Sequence, residues 1–464
     1  VTPGSCVRAR RGRIRIAMEG KGPRREGSLE APTRLPVDWR SPAFTDPGAL
    51  EAELTRVFDI CHGCRRCFSL CNSFPTLFDA VDATDSGELH DVPREAYWKV
   101  VDHCYLCDMC YMTKCPYVPP HEWNVDFPHL MLRAKVKRFK DGAPKARDKI
   151  LSATDTVGTL AGIPVVAEAV NALNASKLGR RVLESALGVD PESPVPKYHS
   201  KSARRRLRSR VGRDADANPA GGTRGRAVVF ATCYGNRNDP SLVEDLVAVL
   251  EHNAIGTALA GTERCCGMPK LELGDLEAIQ KLMEINVPEL DRWVQRGWDL
   301  TAVVPSCVLM FKQELPLLYP EDERVKRVAE AFFDPFEYLM MRHREGKLRT
   351  DFKKSLGSIS YHVPCHLRVQ NIGLKTRDVL ALVPGTQIQP IERCSGHDGT
   401  YAVKKEYGKI SRKIGRPVAR QVDSTEAAHF ASDCPMAAAQ IGAITESKAT
   451  PSHPIQLLRA AYGI

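Results

Sequence analysis

Cys61-His62-Gly63-Cys64-Arg65-Arg66-Cys67-Phe68-Ser69-Leu70-Cys71 sets a C-x2-C-x2-C-x3-C pattern, and Cys104-Tyr105-Leu106-Cys107-Asp108-Met109-Cys110-Tyr111-Met112-Thr113-Lys114-Cys115-Pro116 repeats it with one extra residue before the last cysteine. Three thiols three residues apart come from one tight turn and reach three corners of a cubane, while the fourth leads into a helix and points elsewhere. In a two-cluster arrangement the fourth cysteine of each run serves the other cluster. Cys61, Cys64, Cys67 and Cys115 are therefore expected around one [4Fe–4S] centre, and Cys104, Cys107, Cys110 and Cys71 around the other. Structural zinc favours two C-x2-C pairs well apart, and disulfides do not persist in a reducing compartment. The polar, helix-leaning stretch from Asp79 to Lys99 is longer than a bare ferredoxin needs, so residues 45–125 are expected to form a mostly α-helical two-cluster domain of ferredoxin type.

The whole chain has 464 residues, 16 cysteines, 43% hydrophobic and 26% charged residues. That composition describes a globular protein of two or three domains and excludes a disordered tail or a disulfide-stapled mini-protein. Its net charge of +10 is unevenly placed. Residues 1–40 hold ten Lys/Arg against four acids and residues 197–226 ten against two, so the remainder is net negative. Both basic stretches are rich in Gly, Pro, Ser and Ala and lack an apolar period, so they read as a flexible arm (1–44) and a basic linker (191–226). Solvated charge is their first reading, an acidic partner or anionic lipid the second. Nucleic acid is disfavoured, because only Tyr198 interleaves with the arginines. Val1 is not Met, and Met18 reads as the expected start, which would remove Cys6 and five arginines. No apolar segment of signal-peptide type follows those arginines, which points to a cytoplasmic protein with reduced thiols, peripheral on the inner face of the inner membrane at most.

Residues 126–190 read as a helical connecting segment with a basic face of Arg133, Lys135, Lys137, Arg138 and Lys140. Within it Val157–Ala167 is apolar over too few residues to span a bilayer. Core packing between domains is its ordinary reading, an interfacial or partner-docking segment the alternative.

From Arg226 the architecture changes. Ala227–Cys233, the segment ending at Cys265-Cys266-Gly267, and Leu300–Val304 before Cys307 are strand-like runs each followed by cysteine, separated by amphipathic helices. The pattern recurs with Ser358–Pro364 before Cys365, Gln387–Ile391 before Cys394-Ser395-Gly396, and Ala428–Asp433 before Cys434. Successive cysteines are 32 and 42 residues apart in the first copy and 29 and 40 in the second, so a duplicated α/β unit is expected over 227–345 and 346–464. In an open parallel sheet the carboxyl ends of the strands gather at one edge, where ligands bind.

The two cysteine runs and the repeated Cys…CCG…Cys unit together resemble, over roughly residues 45–464, the iron–sulfur oxidoreductases that include the third subunit of anaerobic glycerol-3-phosphate dehydrogenase, the iron–sulfur subunit of glycolate oxidase and heterodisulfide reductase. The resemblance implies a noncubane cluster held by five cysteines in each complete unit. The first copy keeps Cys233, Cys265, Cys266 and Cys307 but has Met310 at the last place; the second keeps Cys365, Cys394 and Cys434, with Ser395 and Ala437 replacing cysteines. Four thiolates can still hold a cluster. Three hold only a cluster with an open iron, a trinuclear one, or another metal assisted by His362, His366 or His397, and packing or zinc stays open for both copies.

No G-x-G-x-x-G follows a strand, so hydride chemistry is expected in a partner chain. The leading expectation is an electron-transfer subunit that takes electrons from a flavin-containing dehydrogenase and delivers them to a quinone or other acceptor. The alternative is an enzyme that reduces a disulfide or small substrate at the first CCG cluster, with Cys266 and His397 as candidate catalytic residues; a zinc-bearing binding module is a third reading. His397 is equally read as an electrostatic tuner of a cluster. The basic run Lys404, Lys405, Lys409, Arg412, Lys413 and Arg416 is expected on a helix closed by Gly415-Arg416-Pro417, with its cations in solvent.

Overall fold

A computed structural model describes residues 32–464; Cys6, Met18 and most of the basic arm lie outside them. The second half is built on two four-stranded, all-parallel sheets with the same strand order. The first runs β2-β1-β3-β4, where β1 is Arg226–Phe230, β2 Gly256–Ala258, β3 Asp299–Ala302 and β4 Phe332–Phe333. The second runs β6-β5-β7-β8, with β5 Ser358–His362, β6 Gln387–Ile391, β7 His429–Ser432 and β8 Pro451–Ser452. Central β1 and β3 are buried along nearly their whole length, as strands covered by helices on both faces must be. Pro390 is tolerated in β6 because that strand lies at a sheet edge. The two outermost strands, β4 and β8, are two residues long and carry no strand-like sequence signal.

The copies embrace reciprocally. Helix Pro240–His252 of the first packs on Pro454–Tyr462 at the end of the second, and Pro335–Arg344 at the end of the first packs on Lys375–Leu380 of the second. Corresponding elements thus meet each other's counterparts, the self-complementary arrangement of a two-fold interface within one chain. Buried His453 seals it: its Nε2–H lies 3.1 Å from the Val303 carbonyl and 3.0 Å from that of Asp433.

The amino-terminal part is helical. Pro47–Cys64, Ser73–Asp82, Arg94–Asp102, Met109–Thr113 and Phe127–Lys140 surround a core containing Phe58, Phe74, Leu77 and Met131. Asp46 caps the first of these helices by accepting from the Ala49 N–H, with Pro47 at its first position. One buried ion network ties this part to the first α/β unit. Arg34 donates to Asp108 at 2.7 and 2.9 Å, to Asp126 at 2.9 and 3.1 Å, and to Glu314 at 3.3 Å. His129 stands 3.2 Å from Asp126 and 3.4 Å from Glu314.

Three expectations change. Residues 191–226 are not a flexible linker: the stretch holds the short helix Ala203–Arg206, buries Ser202, Ala203 and Leu207, and pairs Arg204 with Glu263, Arg206 with Glu244, and Arg210 with Glu251. Part of its charge is thus paired with acids of the first unit. The helix expected to close at Pro417 runs on from Gly408 to Thr425, and its basic face is partly paired, Arg412 with Asp190 and Glu192. Finally, Val157–Ala167 is not an interdomain core. Helices Thr154–Ala161 and Val166–Ala175, bent by 105°, and Lys177–Leu187 leave Leu160, Ile163, Val165, Val166, Leu173, Leu178 and Val182 exposed, Val165 at 78%. Together with Ile150 these are eight of the thirteen exposed large apolar side chains among the described residues, so the apolar surface is concentrated here. No single helix among the described residues is long and apolar enough to cross a membrane.

Candidate metal centres

The first cysteine run does not begin in a loop. Cys61 and Cys64 occupy the last turn of helix Pro47–Cys64, and the chain reverses at left-handed Arg65 (φ 51°), whose N–H bonds the Cys61 carbonyl. Cys67 follows the reversal and Cys71 precedes helix Ser73–Asp82. Cys61, Cys64, Cys67 and distant Cys115 line one solvent-open hollow. Burial, then the neighbouring thiols, pushes Cys61 well up and Cys67 to about 12. Four thiols gathered where they resist ionising together suit a cation that compensates their charge, as an iron–sulfur cluster does.

The second run is extended, turning at left-handed Leu106 and Asp108 before Cys110 enters helix Met109–Thr113. Cys107 and Cys110 are raised by burial and by neighbours that include Cys71 in both cases and Cys104 for Cys110. Cys71 is thus drawn to this set and Cys115 to the other. Cys67 has both Cys115 and Cys71 as neighbours, so the two sets adjoin. Buried Lys135 donates to the Cys104 carbonyl at 2.7 Å and places a cation beside the second set.

In the first α/β unit the cysteines gather past the carboxyl ends of β1, β2 and β3. Cys265, Cys266 and Cys307 are each 4% exposed. Hydrogen bonds from Cys233 and Cys266 hold the Cys265 thiol well below its ordinary range while raising the donors. The Cys265 N–H donates to Asp155 at 2.7 Å, and buried Asn286 clamps the Arg264 and Cys265 carbonyls. Gly267 (φ 104°) turns the chain after the cysteine pair. A side chain there would approach the methyl of Met310, the residue at the place of the missing cysteine, which is fully buried.

The second unit departs more. Gly396 (φ 73°) repeats the glycine turn, with the Ser411 carbonyl 2.2 Å from where a Cβ would sit. Ser395 turns its hydroxyl to the His397 N–H. None of the three proposed assisting histidines is the group against the thiols. His362 has both ring nitrogens engaged, with Ser432 at 2.9 Å and the Arg393 carbonyl at 3.0 Å. His397 is 8% exposed and pushed down to about 4 by burial, so it is neutral at ordinary pH and enclosed by protein. His366 is buried with Nε2 unpartnered. The group that meets the thiols is Asp398, with Oδ1 3.7 Å from Cys365 Sγ and Oδ2 3.6 Å from Cys394 Sγ. Cys434 has Asp398 as an electrostatic neighbour, and Cys365 has Cys434. Asp398 directly follows His397, and spacing alone does not distinguish its carboxylate from the imidazole beside it.

Comparison with known proteins agrees with the repeat. The profile of the CCG cysteine-rich domain matches residues 227–312 and 359–442. The chain is 29% identical over 340 residues, 73% of its length and 82% of the other's, to the third subunit of the anaerobic glycerol-3-phosphate dehydrogenase of Escherichia coli K12. It is 23% identical over 389 residues to the second subunit of the fumarate reductase (CoM/CoB) of Methanothermobacter marburgensis, covering 80% of this chain and 66% of that protein. An iron–sulfur protein of Methanocaldococcus jannaschii is 25% identical over 224 residues, 48% of this chain and 42% of its own. The two matched stretches take in β1 to β3 and β5 to β7, so the cysteine-rich CCG domain is matched twice in this chain, once on each parallel sheet.

Proposed function

We propose that this chain is the iron–sulfur electron-transfer subunit of a dehydrogenase or reductase complex. In this reading Cys61, Cys64, Cys67 and Cys115 hold one [4Fe–4S] cluster, Cys104, Cys107, Cys110 and Cys71 a second, and Cys233, Cys265, Cys266 and Cys307 a further centre. Such clusters, when bound, take up and release single electrons. The observation that carries the reading is continuity. Cys67 neighbours both Cys115 and Cys71, Cys107 neighbours Cys365 and Cys394, and Tyr234, next to Cys233, neighbours Cys434. The chain's own contribution is enclosure of the second set, where Cys104 and Cys110 are buried and Lys135 places a cation beside them. Burial of Cys265, Cys266 and Cys307 favours electron passage over direct reduction of a disulfide, which needs an open sulfur.

The partners follow from chemistry. A flavin-containing partner supplies electrons that this chain, without a dinucleotide motif, cannot draw from an organic substrate. A quinone in a bilayer suits the acceptor end. Helix Thr154–Ala161, whose Asp155 holds the Cys265 loop, leads into the exposed apolar surface around Val165 and Leu178, which is proposed to lie in the headgroup region of a membrane. Iron and acid-labile sulfide analysis of the anaerobically purified chain tests the core of the reading. More than about eight irons per chain is expected, while stoichiometric zinc with little iron overturns it. Flotation with lipid vesicles tests the docking: binding by the parent and its loss in Val165→Asp/Leu178→Asp are expected, and equal behaviour of the two refutes it.

A further inference from the structure

We propose that the second α/β unit carries its own iron–sulfur centre and that Asp398 is its fourth protein ligand, a carboxylate where the first unit has a thiolate. The inference rests on the iron–sulfur reading above but concerns a site that reading leaves out. Each Asp398 carboxylate oxygen faces a different thiol, Cys365 at 3.7 Å and Cys394 at 3.6 Å, and Cys434 completes the group at the carboxyl end of β7. Two competing donors are engaged elsewhere, His362 being bonded at both nitrogens and Ser395 facing the His397 backbone, while His366 keeps an unpartnered Nε2 but makes no contact with the thiols of the kind Asp398 makes.

The loop is built to aim this carboxylate. Asp398 and Gly399 are both left-handed, at φ 37° and 56°. The Tyr401 N–H closes the turn on the Asp398 carbonyl at 3.0 Å, and the Tyr401 hydroxyl meets His103 of the helical part at 2.8 Å. Gly399 sits so close to Glu272 of the first unit that a Cβ would fall 1.8 Å from its carboxylate. An aspartate fixed from three sides, against two thiols and beside Cys107 and Cys71, has the chemistry of a ligand. Carboxylate in place of thiolate also puts less electron density on the metal, so this centre is expected to be reduced more readily than its all-thiolate counterpart.

The test compares the full-length parent with Asp398→Ala, Asp398→Asn, Asp398→Cys and Cys365→Ser/Cys394→Ser, by iron and sulfide content and EPR-monitored redox titration. Asp398→Ala and Asp398→Asn are expected to lose roughly one iron per chain and to show the signal of a trinuclear cluster. Asp398→Cys is expected to keep the iron and titrate at lower potential, and the double-serine variant to lose the whole centre. Unchanged iron and EPR in Asp398→Ala and Asp398→Asn, with loss in the double-serine variant, removes Asp398 from the ligand set. Iron unchanged in the double-serine variant means that no centre exists there, while the proposed function stands. A parent without iron overturns both. A circular-dichroism melt accompanies each variant, and Asp398→Cys keeps the test decisive if the alanine variant unfolds.

Discussion

The two α/β units share a strand order and embrace through equivalent helices, yet they treat their cysteines differently. The first packs four thiols at the ends of three strands, with a buried methionine at the fifth position and an outside aspartate, Asp155, bonding the loop. The second keeps three thiols, and a carboxylate from its own loop stands against two of them. Surroundings differ as well: the first site adjoins the helices that lead to the exposed apolar surface, the second adjoins Cys107. Strand order and the reciprocal helix contacts are common to both units, and the difference is confined to the loops at the strand ends.

The comparison can be broken most directly by Cys266→Ser. It is expected to abolish the metal signal of the first unit completely while leaving the signals of the other sets intact by EPR; simultaneous loss elsewhere shows that the units are not independent. Next is the buried Arg34 brace to the first unit. Arg34→Met leaves Asp108, Asp126 and Glu314 without their shared cation and is expected to cost about 3–5 kcal/mol in urea unfolding. A change below about 1 kcal/mol would show the network to be dispensable.

The same network makes a pH prediction. Burial opposes charge on His129, but Asp126 and Glu314 hold it at about 9 against an ordinary 6.5. Because the folded value is raised, the stabilisation is complete below pH 6.5 and is lost as pH climbs through 9, about 3 kcal/mol in all. Urea midpoints over that window should fall in the parent and stay flatter in His129→Gln. The smallest effect belongs to the interface between the units. Arg459→Ala removes a pair with Asp245 across it, in which the arginine is partly exposed and the aspartate buried, and should cost about 1 kcal/mol.

Much of this was legible because it is local. Strand runs such as Ala227–Phe230 are continuous in chemistry, and the helix start at Asp239-Pro240 is a capping signal within a few residues. What escaped depends on distant groups. The stretch 191–226 looks unstructured because its helices are short, and its arginines are ordered by groups contributed from later in the chain, among them Glu244, Glu251 and Glu263. Val157–Ala167 has the composition of a core segment, and only the finished fold leaves it uncovered.

The sequence by itself determined the cysteine inventory, its division between two runs and two repeats, and the parallel sheets, since spacing and periodicity are properties of the chain. Tertiary structure alone decided that the second repeat lies against Cys107 and the first beside the apolar helices, and that Asp398 rather than a histidine meets the thiols. The reason is physical: which donor reaches a site depends on left-handed turns and on packing against Glu272 and His103, contacts that no local pattern encodes.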